Sequence, residues 1–219
     1  MTAIFDALGE PIAHRVTSGL SKIGMVLRTQ AWKLARPERL TPLQAQALEN
    51  LRGRSMSLKR LAVLLGVAGP TATVAVNTLV EKGLVLKEKG EDRRAVSLSL
   101  TPTGAAAAER LSAWPEVLTR AVDTLDQEEQ EAALTTLVKL VRALQLQGDI
   151  APQRMCVTCE FFRPRVHDDA SAPHHCAFVD APFGDRHLRL DCPEQRDAGP
   201  AEQEIAWERF THGSTAPGA

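Results

Sequence analysis

The chain has 219 residues, of which 44% are hydrophobic and 24% charged, with a net charge of −1, a balance that suits a soluble globular protein with room for one ordinary domain and an appendage. Aromatics make up 4% with no tyrosine, so a core must be built mainly from Leu, Val and Ala. No stretch approaches the ~20 apolar residues of a membrane helix, and the N-terminus, with Asp6 and Glu10 and no basic segment, does not read as a signal peptide; the expectation is a cytoplasmic protein with no membrane partner.

Apolar residues Val16, Leu20, Ile23, Val26, Leu27 and Leu34 recur at three- and four-residue spacing, which predicts an amphipathic helix from about Ile12 to Ala35. Pro37 ends it. Thr41-Pro42-Leu43-Gln44 reads as a new start, with Thr41 as N-cap, Pro42 at the first helical position and Gln44 closing a capping box; this second helix runs to about Arg52 and stops at Gly53. Ser57 caps a third helix that ends near Gly66. Within a few residues a fourth begins, Pro70 to Lys82, with Gly83 placed as its C-cap. Two short helices around a tight Gly-containing turn predict a helix-turn-helix. Leu84-Val85-Leu86, a charged stretch from Lys87 to Arg94, and the alternating Ala95–Leu100 run predict a β-hairpin. Thr101-Pro102 restarts a helix, and helical pattern continues to about Gln147 with breaks at Pro115 and Asp126.

Gly148 begins a linker of Gly and Pro character, beyond which periodicity disappears. Pro164, Pro173, Pro182 and Pro193 punctuate a segment with few aliphatic side chains, too few to hold itself together by hydrophobic burial. The expected division is a first domain over 1–147, a linker over 148–155, a four-cysteine module over 156–196 and a flexible tail over 197–219.

The order helix, helix, helix-turn-helix, hairpin, helix resembles the MarR (multiple antibiotic resistance regulator) family over about residues 12–147. The segments carrying the resemblance are Leu40-Thr41-Pro42-Leu43-Gln44, Ser57-Leu58-Lys59-Arg60-Leu61-Ala62, Leu79-Val80-Glu81-Lys82-Gly83-Leu84-Val85, Asp92-Arg93-Arg94 and Leu100-Thr101-Pro102-Thr103-Gly104. The resemblance implies a mainly α fold with a small β-hairpin wing, a winged helix-turn-helix and a helical dimerisation region, followed here by an irregular Cys-rich C-terminal module. It also implies a homodimeric regulator, usually a repressor, on a palindromic double-stranded DNA operator, with room for a small-molecule effector.

Charge distribution agrees. From Arg36 to Leu100 there are eleven Lys/Arg against six Asp/Glu, and from Ala151 to the end seven against eleven, so the middle of the chain is the part suited to a polyanion. The fourth helix is the expected major-groove reader, with Thr71, Thr73 and Asn77 as base-contacting candidates. Ser57 joins them at the start of the third helix. Lys87 and Lys89 would neutralise phosphates, and Arg94 or Arg93, oriented by Asp92, would probe the minor groove. The reader carries no arginine before Lys82, and Ala72, Val74, Ala75 and Val76 are bland, so the wing and DNA shape carry more of the expected specificity.

All four cysteines fall in one stretch as Cys156-x2-Cys159-x16-Cys176-x15-Cys192. A close pair plus two single cysteines offers a four-sulfur shell, and an iron–sulfur cluster, a structural zinc and a thiol switch all remain open. His167, His174 or His175 could substitute as a ligand, and Phe161, Phe162, Phe178 and Phe183 are expected to pack around the site. No nucleophile–base pair, phosphate-cradling Gly-rich loop or HExxH motif points to an enzyme. The competing readings are a regulator whose zinc is purely structural and whose signal is a small molecule, an electron-transfer module on a winged scaffold, and a winged helix that binds protein instead of DNA.

Overall fold

The computed structural model describes residues 10–89, 96–111 and 116–213, with backbone only at Lys89 and Val96. It divides into two compact units, Met1–Arg120 and Ala121–Ala219.

The first unit runs α1 (Ile12–Ala35), α2 (Pro42–Leu51), β1 (Met56–Ser57), α3 (Leu58–Leu65), α4 (Gly69–Glu81), β2 (Val85–Lys89), β3 (Val96–Leu100) and α5 (Pro102–Leu111). The expected capping box is present: Gln44 N–H donates to Thr41 Oγ1 at 3.2 Å and Thr41 N–H donates to Gln44 Oε1 at 3.1 Å. Ser57 caps α3 by accepting from Arg60 N–H, and α3 ends on Gly66 in the left-handed conformation. The core gathers Leu48 and Leu51 from α2, Leu61 from α3, Val76 and Leu79 from α4, Val85 and Leu98 from the wing, and Leu111 from α5. Each such side chain, fully buried, contributes about 1.5–3 kcal/mol.

A compact knot fastens the wing to this core. Gly83, with φ +67°, turns the chain out of α4, and Thr101 Oγ1 donates to Gly83 O at 2.7 Å while accepting from Gly104 N–H at 2.8 Å. Thr101 N–H also donates to Leu84 O. The approach is so close that a Cβ on Gly104 would lie 1.9 Å from the Leu84 carbonyl oxygen. Glycine in the Leu-Thr-Pro-Thr-Gly segment is therefore a steric requirement.

Two details differ from expectation. The strand expected over 84–86 extends to Lys89, so Lys87 belongs to a paired strand opposite Leu98. A two-residue strand, Met56–Ser57, adds to the hairpin and gives a sheet of order β1-β3-β2. On α1, only Ala31 and Ala35 are buried, while Ile12, Val16, Leu20, Ile23 and Val26 are exposed. Helix α6 (Glu116–Val122) crosses the boundary between the units.

The second unit contains α7 (Gln127–Gln147), a 3-10 turn at Cys156–Thr158, strands β4 (Phe162–Arg163), β5 (His174–Cys176) and β6 (Ala181–Phe183), a second 3-10 turn at Asp185–His187, and α8 (Pro200–His212). The expected break at Asp126 is an N-cap, boxed with Glu129. The strands form an antiparallel sheet of order β4-β5-β6. Two expectations are corrected here. Residues 200–212 are helical, and Phe210 is buried, where a flexible tail was expected. The Pro-rich segment also shares a core: Val138 of α7 packs with Met155, Val157, Phe162, Leu188 and Phe210, flanked by Leu134, Val141 and Trp207. Helices at both ends supply the apolar surface that the segment itself lacks. Among the described residues no single helix is long and apolar enough to cross a membrane.

Candidate functional site

Helix α4 turns Ala72, Ala75, Val76 and Leu79 inward, which leaves Thr71, Val74 and Asn77 on the exposed side. Thr73 is half-buried, and its hydroxyl donates to Gly69 O at 2.8 Å, so it is partly committed to its own helix. Lys87 Nζ donates to Asn77 Oδ1. That contact ties the expected phosphate-binding lysine of the wing strand to the expected base-reading amide of α4. Ser57 is exposed with its hydroxyl used as the α3 cap. Lys89 lies at the end of β2, paired with Val96 through the backbone. Asp92, Arg93 and Arg94 lie outside the described residues. A further basic contact was not foreseen: Lys82 Nζ donates to Arg39 O at 2.5 Å, and Arg39 itself has φ +55°. No pattern in the sequence links two residues so far apart.

The first unit also holds a cavity of about 320 Å³ lined by residues of α1, α2, α3 and α5, among them Leu34, Ala45, Glu49, Asn50, Leu65 and Leu111. Burial raises the Glu49 carboxyl above its ordinary value, against the pull of Arg52, and among the described residues Glu49 Oε1 has no hydrogen-bond partner.

In the second unit Cys156, Cys159, Cys176 and Cys192 all line one cavity of about 290 Å³. The 3-10 turn places the first two, β5 the third and the loop after Leu190 the fourth. All four are free and half-buried. Among the described residues, however, no three His, Cys, Asp or Glu side chains converge closely enough to hold a single metal ion, so the tight four-sulfur shell expected from the spacing is not formed around one point. Burial pushes the Cys156 thiol up to about 11; the Arg189 N–H, donating to its sulfur at 3.3 Å, pulls it down, and Cys192, Cys159 and Cys176 each push it up again. Such a thiol stays protonated near neutral pH and is a poor nucleophile; an all-sulfur donor set suits a soft metal or an iron–sulfur group that displaces the protons.

The expected aromatic packing is there: Phe161, Phe162, Phe178 and Phe183 line the same cavity. The three candidate histidines have other partners. His174 is fully buried; its Nδ1 accepts from Arg165 N–H at 3.2 Å, which leaves Nε2–H to donate to Asp185 Oδ1 at 2.7 Å. Burial holds this imidazole below the ordinary histidine value, with Asp185 opposing the shift. His175 sits between His167, 3.3 Å away, and Asp180, 3.2 Å away. The histidine on the cavity is His187. The residue that sequence reasoning missed is Arg189, whose guanidinium lies 3.8 Å from both Cys192 Sγ and Glu194.

Residues 40–95 match the family model described as MarR family. No curated protein matches the chain. Among solved structures, it is similar to Staphylococcus aureus MepR in a DNA-binding conformation (22% identity, 59% of this chain and 98% of that one, TM-score 0.55). The MepR–DNA complex gives 23% identity, the same coverage and a TM-score of 0.53. NadR in complex with 4-hydroxyphenylacetate gives 23% identity over 57% of this chain and 91% of that one, with a TM-score of 0.50. The first unit thus has the winged-helix fold of these structures, and the match to the MarR family model falls within it, over residues 40–95. The cysteine-bearing segment lies outside the matched residues.

Proposed function

We propose that the chain is a DNA-binding transcription regulator, a homodimer that acts in the cytoplasm as a repressor on a palindromic double-stranded operator. The observation that carries this reading is the exposed side of α4, which presents Thr71 and Asn77, with Lys87 of the wing strand held against Asn77, inside a segment that matches a family of regulators. A helix and a basic strand presented side by side suit a major groove and its flanking phosphates. The uncovered apolar row of α1, from Ile12 to Val26, supports dimerisation, and two-fold symmetry in the protein matches paired half-sites. Titration of an operator selected from random duplexes tests the reading. Arg94→Ala is expected to weaken binding at least tenfold and to flatten its salt dependence; unchanged binding would remove the main support for a wing that grips DNA.

Two control inputs have support. The cavity around Glu49 and Asn50 is of a size that takes a small molecule, and NadR has been solved with such a ligand. The four cysteines facing one cavity support control through a bound iron–sulfur cluster or metal; held by Cys156, Cys159, Cys176 and Cys192, it would supply sensitivity to oxidants or to metal supply. Because α7 shares its core with the cysteine segment, loss of the group would loosen the packing of α7. A zinc-bearing regulator answering only to the small molecule is the alternative, and DNA affinity measured with and without oxidant separates the two.

A further inference from the structure

The DNA-binding reading leaves open which base the exposed side of α4 prefers. Resting on that reading, we infer that Lys87 is a positioning residue that holds the Asn77 amide as a donor-only probe, so that the pair selects guanine in the operator.

The strand brings the two residues together. Side chains alternate across a strand, so Lys87 shares a face of β2 with Val85, which is buried in the core with Val76 and Leu79 of α4. Its cross-strand neighbor Leu98 is fully buried. Asn77 follows Val76 directly and is exposed. The lysine stem thus leaves the sheet on the side that packs against α4, while Leu86 and Glu88 belong to the other face.

Lys87 Nζ donates to Asn77 Oδ1. An ammonium carries donors and no acceptor, so the amide must offer it the oxygen, and Nδ2 faces the opposite way. A cation therefore occupies the accepting atom of the asparagine side chain. Toward a base, what remains is the Nδ2 amino group and the N–H bonds that the lysine has not used, donors in every case.

Asparagine without such a partner matches adenine, accepting from N6–H while donating to N7. Guanine instead offers two acceptors in the major groove, N7 and O6, and adenine sets an amino group where guanine has O6. A donor-only probe meets two partners on guanine. On adenine it leaves an amino group facing donors, and an unmatched polar group is costly. Thymine offers O4 alone beside a methyl group, and cytosine a donor. The arrangement also gives α4 a specific base contact although it carries no arginine before Lys82.

The test uses the full chain and a library of random duplexes, followed by titration of the selected operator and of its single-base variants. The parent is expected to select guanine at the position whose preference disappears in Asn77→Ala, and to bind the adenine variant there about tenfold more weakly. Lys87→Ala should cut that ratio to about threefold or less, because a released amide can turn over and accept from adenine. Lys87→Arg keeps a cationic donor and should restore the preference for guanine. A lower salt slope in Lys87→Ala is expected whether or not the amide is held, so the base ratio is the readout that a phosphate contact alone would not move. Equal weakening of the guanine and adenine operators by Lys87→Ala, adenine selected by the parent at that position, or an Asn77→Ala variant with every preference intact overturns the inference and leaves DNA binding standing. A parent chain that selects no operator overturns the DNA-binding reading itself, and the inference with it.

Discussion

The winged unit and the C-terminal unit reach a folded state by different means. The first is assembled from aliphatic faces that repeat along the chain, so each helix meets the next through the periodicity that formed it. The second has a core in which Val138 of α7 joins Met155, Val157, Phe162, Leu188 and Phe210, drawn from turns, a short strand and the far helix. Its center is His174, enclosed by the rings of Phe162, Phe183 and Phe210 at 5.3–5.7 Å and pinned at both nitrogens. One unit rests on many interchangeable contacts; the other depends on a few specific ones.

The contrast can be broken at several points. The largest effect is expected where the winged unit does have a non-interchangeable contact. Gly104→Ala forces a methyl group against Leu84 O and should cost the unit about 3 kcal/mol, read by urea denaturation, with operator binding lost in parallel; a change below 0.5 kcal/mol, well under the ~1–3 kcal/mol of overpacking, would show that the knot is pliable. Next is His174→Ala. It removes a buried ring and leaves Arg165 N–H without its acceptor, for an expected loss of about 2–3 kcal/mol. Hydrogen exchange should rise across 155–212 and stay unchanged across 42–89, and a uniform rise in both units would contradict the division of labor.

The same residue predicts a pH effect. Folded His174 takes a proton less readily than in the unfolded chain, so as the pH falls through about 6.5 the unfolded state gains protons first. Stability of the C-terminal unit should therefore be full above that pH and decline in acid until the folded imidazole also titrates, whereas His174→Ala should lose this slope. A smaller effect is expected for Arg142 of α7, whose guanidinium stacks 4.2 Å from the Trp207 ring and pairs with Glu204 at 3.3 Å. Arg142→Ala should cost about 1–2 kcal/mol and shift Trp207 fluorescence as α8 loosens. The smallest is Lys87→Ala, which leaves folding unchanged and reduces the salt slope of DNA binding by about one.

Legibility in the sequence follows the same divide. Helices α1 to α5 and the wing announce themselves through spacing and caps, because Thr41, Ser57, Gly66 and Gly83 act on their immediate neighbors. Strand β1 is two residues long and exists only because β3 lies beside it, so no local pattern could reveal it. Helix α8 was legible in principle: Gln203, Ala206, Trp207 and Phe210, the side it turns inward, stand at helical spacing, but Ala, Glu and Gly in the composition suggested a tail. The cysteines were visible as a cluster because they are the only ones in the chain. Arg189 was not, since its place beside Cys156 and Cys192 is set by tertiary packing. The same holds for the link between Lys87 and Asn77.

The shared core of α7 bears on where this protein can be cut. Gln147 looks like a natural end point, the last residue before a Gly-Pro connection. Ending the chain there would strip Leu134, Val138 and Val141 of their neighbors and leave the Arg142 guanidinium without its ring. A fragment so trimmed would present a fresh oily stripe beside Leu137 and Leu144, which are already exposed, and would be prone to clump. A shortened form meant to stay in solution should end before Gln127 or run on through His212.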